Sequence, residues 1–309
     1  MKRIILLLLL LIPASAFCQE TISGAREKVL GYNNADKFVN FAFITDVHVV
    51  GKRDLDRHAS ACLDDFVCLC NERWCDFAAF GGDLFSAYEA SQSEAFELMS
   101  VPMSWFNRIA IPVFMTKGNH DRNGKISQEE TVTNTQYHML CERNFGGADV
   151  RINPEDPYGN YFFADYVREK VRVIVLNYFD ECVMQNSGFH DLQLDWLERS
   201  ALGTLEDGWT VIMFSHSFKS AGERFWSIID DVTASGRVSV AALIHGHHHK
   251  DLFEQKHGVN VIGVAAGFCS GAQVGTPDQT CFSVFTVDTR NRILHETRIG
   301  RGENREFRF

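Results

Sequence analysis

The sequence predicts a single α/β domain built on two sheets. Three observations carry this reading. From about residue 38, apolar strand-like runs alternate with amphipathic segments, the pattern of βαβ crossovers feeding a parallel or mixed sheet. The second half changes to short strands separated by turn signals. Several of the apolar runs also end in Asp, Asn or His, which a buried strand has no packing reason to choose.

The elements follow in order. FVNFAFITD (38–46) reads as a strand and 56–73 as a helix; CDFAAFGGD (75–83) is the next strand, about 91–108 the next helix, and IPVFMTKGNHD (111–121) a third strand. YFFADYV and VRVIVLNYF (161–179) read as a hairpin, GFHDLQLDWLERSAL (188–202) as a helix and WTVIMFSH (209–216) as a buried strand. After a helix over 222–235, the runs VSVAALIHGHH, VNVIGVAAG, CFSVFTVDT and ILHETRIG are short strands. No linker rich in Pro, Gly or Ser and no internal repeat divides the chain, so residues 38–309 are read as one domain after an N-terminal segment, 19–37.

Residues 1–18 have the form of a secretory signal peptide: basic Lys2 and Arg3, the apolar run Ile4 to Ile12, then Pro13-Ala14-Ser15-Ala16. Cleavage after Ala16 and after Cys18 both fit. The apolar run is too short for a hydrocarbon core that needs about twenty residues. The mature protein is therefore expected to be secreted or periplasmic, with no membrane-crossing segment.

The 309 residues are 45% hydrophobic and 23% charged, an ordinary globular balance. Acidic residues outnumber basic ones, 40 to 30, and the signal peptide would take two of the basic ones with it. A broad nucleic-acid surface is thereby excluded as an expectation, while a small anionic ester in a cleft is not. Beyond Cys18 the chain carries Cys62, Cys68, Cys70, Cys75, Cys141, Cys182, Cys269 and Cys281, and no CxxC pair. Buried thiols are expected for most of them, with one or two disulfides open. Nothing points to an obligate protein partner.

Five strand ends carry the chemistry: Asp46 and His48 (DVH), Asp83 (GGD), Asn119, His120 and Asp121 (GNHD), His216 (SH), and His247 with His249 (GHHH). Ligands of open α/β sheets lie outside the carboxyl ends of strands. Oxygen and imidazole donors without thiolate suit two metal positions holding Mn, Fe or Zn. In an extended segment alternate residues share a face, so Asp46 would point with His48, and His247 with His249, leaving Val47 and His248 turned away. For His245, His248, His257 and His295 a structural role is expected, and for Phe218, Phe225 and Trp226 a place in the core.

In that order and spacing, D-x-H, G-D, G-N-H-D, a lone His after a strand and G-H-x-H, the chain resembles the calcineurin-like metallophosphoesterases over roughly residues 40–265. The resemblance implies a four-layer αββα sandwich, two mixed sheets flanked by helices, with a dinuclear centre. It implies that Asp46, His48 and His249 hold one metal, that Asn119, His216 and His247 hold the other, and that Asp83 bridges them. It further implies hydrolysis of a small phosphoester by a metal-bridging hydroxide, with His120 as general acid. Two divalent cations, the two carboxylates and that hydroxide would leave a net charge of about +1, which attracts an anionic ester.

The protein phosphatases of that superfamily continue G-D as G-D-x-x-D-R, where this chain has Ser86 and Ala87. The arginine that clamps a monoester dianion is absent, which favours a phosphodiester over a phosphomonoester or nucleotide. So is the carboxylate that orients the histidine; Asp121, or a group the sequence does not reveal, is left for that role. Asn119, His120 and Arg122 are the candidate substrate-binding residues, and Lys52 and Arg53 lie near the first motif. A metal-stabilised binding protein without turnover is the reading from another class; the full ligand set and His120 argue against it.

Overall fold

A computed structural model describes residues 14–32, 37–50, 57–86, 90–122, 131–180, 187–267, 274–276 and 279–309. Lys52, Arg53, Ala87, Cys182, Cys269 and most of the signal-peptide run lie outside these residues. The chain opens with helix α1 (Ala14–Tyr32), strand β1 (Phe38–Ile44), α2 (Arg57–Asn71), β2 (Phe77–Phe80), α3 (Gln92–Phe106) and β3 (Val113–Met115). It continues through α4 (Asn134–Cys141), β4 (Val150–Ile152), β5 (Phe162–Tyr166), β6 (Val171–Val175), α5 (Asp191–Trp196) and β7 (Trp209–Phe214). The last part holds α6 (Gly222–Ser235), β8 (Val238–His245), β9 (Leu252–Lys256), β10 (Val259–Gly263), β11 (Cys281–Asp288), β12 (Ile293–Gly300) and β13 (Arg305–Arg308).

Two mixed sheets result. One has the order β13-β12-β11-β1-β2-β3, with β1, β2 and β3 parallel; the other runs β4-β5-β6-β7-β8-β10-β9, with β6, β7, β8 and β10 parallel. Strands buried on both faces have no polar side to alternate with, which is why FVNFAFI and VSVAALIH read as nearly continuous apolar runs.

Three cores separate the layers. Between the sheets, Phe41 stacks on Phe77 at 4.9 Å and on Phe285 at 5.1 Å, and meets Phe214 edge-on at 5.3 Å. On the outer face of the first sheet, Ala42, Ile44 and Phe80 pack under helices that contribute Ile22 and Val29 (α1), Leu63 and Phe66 (α2), and Met99 and Phe106 (α3). On the outer face of the second, Ile174, Val211 and Leu243 pack under Leu194, Phe225 and Ile229 from α5 and α6. Truncating a ring at the centre of the middle layer, Phe41→Ala, would cost about 3–5 kcal/mol.

The layered α/β architecture is the expected one, with local corrections. The helix expected over 188–202 is α-helical only through Trp196 and continues as a π-helical turn, Leu197–Leu202. Within the N-terminal segment, Ile22, Ala25 and Val29 of α1 are buried on the first sheet. The strands β4, β9 and β13 and helix α4 were not foreseen. Cys62, Cys70, Cys75, Cys141 and Cys281 are buried free thiols and Cys68 is an exposed one.

Candidate metal centre

All five motif segments reach the same edge of the sandwich, just past the carboxyl ends of β1, β2, β3, β7 and β8. Their convergence has a different cause from the one expected. Asp46, His48, Asp83, His247 and His249 all take positive φ, between 51° and 68°, so none of these turns is an extended strand. Left-handed backbone at a residue with a Cβ is unfavourable and persists only where the surroundings fix it. Here they do: Asp46 N–H donates to Gly82 O (2.9 Å), His48 N–H to Asp83 O (3.0 Å), and His247 N–H to Asp46 Oδ2 (2.9 Å). Thr45 Oγ1 donates to the same Asp46 oxygen at 2.6 Å.

Two glycines are required by close approach. A Cβ on Gly118 would stand 2.1 Å from Asp83 Oδ1, and one on Gly246 2.0 Å from Thr45 Oγ1. Any side chain at either position would push a carboxylate-bearing loop out of place.

The donors gather into two sets sharing Asp83. Asp46, His48, Asp83 and His249 form one, and Asp83, His216 and His247 the other, the chosen ligand atoms of each set lying within 4.8 Å of one another. Asn119 Oδ1 joins the second set, 3.1 Å from His247 Nδ1. Within the first, His249 Nε2 is 3.2 Å from Asp46 Oδ1 and 3.0 Å from His48 Nε2. Asp83 Oδ2 lies 3.1 Å from His216 Nε2 and 3.9 Å from His48 Nε2, reaching both sets. His216 Nδ1 faces Gly81 O at 2.6 Å, which turns Nε2 toward the carboxylates.

These residues fit two cations of the hard or borderline kind. The donors are carboxylate, amide oxygen and imidazole, and His216 Nε2 is fully buried against Asp83 Oδ2 at 3.1 Å. Burial pushes His48 and His247 down to about 4, so both are neutral donors at ordinary pH. At His216 burial also works against the proton, but Asp83 and Asp46 outweigh it and push the ring up to about 10. Two carboxylates in a dry pocket demand a positive charge; a divalent cation would satisfy that demand and free the imidazole to ligate. The side chain of His249 is half exposed while Asp46 is fully buried, so solvent meets the centre from the His249 side.

His120 belongs to neither set. Its ring packs edge-on to His48 at 4.6 Å, its Nε2 is 3.9 Å from Asp83 Oδ2, and its backbone N–H donates to Asp83 Oδ1 at 2.8 Å. Burial is the main cause of its lowered pKa. Ser86 Oγ stands 3.0 Å from His120 Nδ1.

Asp121 does not face His120. It is fully buried, and its carboxylate accepts from the N–H groups of Asp83, Leu84, Phe85 and Gly118 at 2.8–3.2 Å. Burial, with the charge of Asp83, pushes it up to about 6. Its place is a tie between the GGD and GNHD turns, and of the two groups left open for orienting His120, Asp121 or one the sequence does not reveal, it is the hydroxyl of Ser86 that lies within hydrogen-bond distance of the ring. Arg122 is buried, with its guanidinium carbon 5.9 Å from the centre of the Phe179 ring. That ring in turn packs 5.5 Å from His216 and 5.6 Å from His247. Arg122 thus reaches the second donor set through Phe179; burial lowers its pKa, against the opposing charge of Asp180.

Sequence reasoning missed Ser86, Thr45 and Phe179 as parts of the centre. A signal existed for Ser86, a hydroxyl at the position where the motif resemblance implies a carboxylate; for Phe179, inside an apolar run, there was none. His257 lies 2.9 Å from Asp230, His295 stacks on Tyr32 at 4.0 Å, and Phe218, Phe225 and Trp226 are buried, all structural places.

The fold has counterparts among solved structures. The fold is similar to that of a dimetal phosphatase from Danio rerio, with a TM-score of 0.62 at 15% identity over 88% of this chain and 99% of that one. It also matches GAP50, the anchor in the inner membrane complex of Plasmodium, at a TM-score of 0.48 and 12% identity over 88% and 89% of the two chains. No curated protein matches by sequence. The family model for calcineurin-like phosphoesterases matches residues 39–251, from the start of β1 to just past the last histidine motif. The two donor sets, the two-sheet sandwich and that match agree: the chain belongs to the calcineurin-like phosphoesterase family.

Proposed function

We propose that the chain is an exported, metal-dependent phosphoester hydrolase acting on a phosphodiester. The observation that carries this reading is the placement of His120, beside both donor sets and part of neither. A binding protein has no use for a partly exposed imidazole held at that point; a leaving oxygen does. Paired cations, when bound, supply Lewis acidity and an activated water. The chain's own residues do the rest. Asp46, Asp83, Asn119, His48, His216, His247 and His249 hold the cations and keep the carboxylates dry. Asn119 and His120 flank the ester, and His120 Nε2 delivers a proton to the departing alcohol while Ser86 holds the opposite ring nitrogen.

The diester preference is supported by Ala87, which stands where a monoester-clamping arginine would be, and by Arg122, which is buried against Phe179. Export is supported by the pattern of residues 1–18. Both cleavage positions precede Ile22, so the part of α1 that packs on the sheet would survive processing. Among the described residues no helix is long and apolar enough to cross a membrane.

The test is hydrolysis of bis(p-nitrophenyl) phosphate and p-nitrophenyl phosphate after chelation and after return of Mn, Zn or Fe, beside His120→Ala and Asp83→Ala. Metal-dependent diester cleavage that Asp83→Ala loses is the expected result, with His120→Ala losing little on p-nitrophenyl esters and most of its activity on a diester with an alkyl leaving group. Preference for the monoester would replace the reading with a phosphomonoesterase. Two bound metals with no turnover would replace it with a binding protein.

A further inference from the structure

The second donor set has an aromatic wall, supplied by the segment just past β6. The Phe179 ring lies against the two imidazoles of that set, 5.5 Å from His216 and 5.6 Å from His247. A phenyl ring has no polar group by which to be aimed, so its place depends on the chain on either side of it. A buried polar network holds that chain. The Asn177 main chain is gripped by one side chain: its N–H donates to Gln193 Oε1 (2.9 Å), and its carbonyl accepts from Gln193 Nε2 (3.0 Å). On the other side of the ring, Asp180 Oδ1 accepts from Asn134 Nδ2 at 3.0 Å, and Asp180 Oδ2 stands 3.0 Å from His190 Nε2.

Both partners of Asp180 are themselves aimed. Lys117 Nζ donates to Asn134 Oδ1 at 3.2 Å, which turns the Asn134 amide nitrogen toward Asp180. His190 is the N-cap of α5, and its Nδ1 accepts from the Gln193 N–H at 3.2 Å. Nε2 is therefore the nitrogen that carries a proton toward the carboxylate. Asn177, Asp180 and Gln193 are fully buried. Polar groups sunk this deep cost stability unless they are satisfied, and a packed apolar turn would end a strand without that cost. What the satisfied network adds is one fixed orientation for the segment, and so for Phe179. The Arg122 guanidinium also meets the ring, 5.9 Å from its centre; burial works against its charge, and Asp180 works for it.

We propose that Asp180, held by Asn134 and His190, is a positioning residue for the second metal position, acting through Phe179 on the rings of His216 and His247. Neither Asp180 nor His190 is in a donor set. The inference rests on the metal-dependent reading above and does not depend on which phosphoester is cleaved.

The test is titration of metal-free protein with Co2+ against a competing chelator, which gives an affinity for each of two equivalents without reference to turnover. Asp180→Asn should weaken one equivalent on the order of tenfold and leave the other unchanged. The weakened equivalent should be the one that His247→Ala abolishes, not the one that His249→Ala abolishes. His190→Asn keeps a good N-cap for α5 while taking the imidazole away from Asp180, and it should act in the same direction. That variant decides the matter if Asp180→Asn does not fold. Phe179→Leu, which removes the ring and keeps an apolar side chain, should match Asp180→Asn, and the two changes together should weaken binding no further than either alone. Equal weakening of both equivalents, weakening of the first-set equivalent alone, or two unchanged affinities would overturn the inference and leave the metal-dependent reading standing. Unsubstituted protein that takes up no Co2+ would end both.

Discussion

Ser86 Oγ stands 3.0 Å from His120 Nδ1, so a neutral hydroxyl from the turn after β2 positions the proposed general acid. A hydroxyl fixes the ring orientation but adds no charge to hold the imidazolium. The difference between orientation and charge can be measured. Ser86→Ala should lower kcat on the order of tenfold with KM nearly unchanged, because the contact matters when the proton moves. Ser86→Thr, which keeps the hydroxyl, should recover most of the loss. An equal rise in KM would place Ser86 in substrate binding instead.

His120 itself should matter in proportion to how much its proton is needed. His120→Ala is expected to cost about 10²–10⁴ in kcat for an alkyl leaving group, and much less for p-nitrophenolate, which departs unprotonated. Metal content, measured by elemental analysis, should stay at that of the unsubstituted protein because His120 is in neither donor set. A loss of metal in this variant would return His120 to the ligands.

Much of the centre was legible because each ligand follows a strand whose apolar run announces it. Asp46 closes FVNFAFITD, His216 closes WTVIMFSH, and His247 and His249 follow VSVAALIH, so the edge on which they meet could be read from order alone. The backbone between them could not. The argument that alternate residues share a face treats DVH and HHH as extended, whereas four of those residues take positive φ, fixed by partners up to 201 positions away. β9 was invisible because LFEQK is mostly exposed and, among the described residues, pairs only with β10. β13 is a four-residue edge strand with two arginines, and α1 was hidden by the signal-like run before it. Such elements are fixed by pairing across the chain, which local periodicity does not encode.

Removing the metals should expose the electrostatics of His216. In the metal-free protein its pKa is pushed from 6.5 to about 10 by Asp83 and Asp46, against the effect of burial. A raised folded-state pKa stabilises below the unfolded value and is lost as pH climbs through the folded one. Chelated protein should therefore lose thermal stability between about pH 6.5 and pH 10, the two ends of that shift. Metal-loaded protein should lack this contribution, and metal binding at pH 7 should release a proton, visible as a calorimetric enthalpy that follows the ionisation heat of the buffer. A flat stability profile for the chelated protein would show that His216 is neutral without metal.

The turn after the last histidine motif is tied to the opposite sheet by a buried ion network. Arg298 of β12 reaches both Asp251, two residues past His249, and Glu296, whose Oε1 it meets at 3.1 Å. Glu296 also accepts from Ser283 Oγ (2.6 Å) and Arg305 Nε (2.5 Å), while Arg305 holds Leu252 O and Gly263 O at 3.0 Å each. Both Arg298 and Glu296 are buried. Deleting one partner of such a network strands the other charges, so Arg298→Ala should destabilise by about 3–5 kcal/mol. Because the network ends beside His249, the same change should also weaken metal retention in dialysis, whereas a core truncation such as Phe41→Ala, of similar cost, should leave retention intact while the protein is folded. Arg298→Ala that lowers the melting temperature without altering metal retention would confine the network to stability and separate it from the centre.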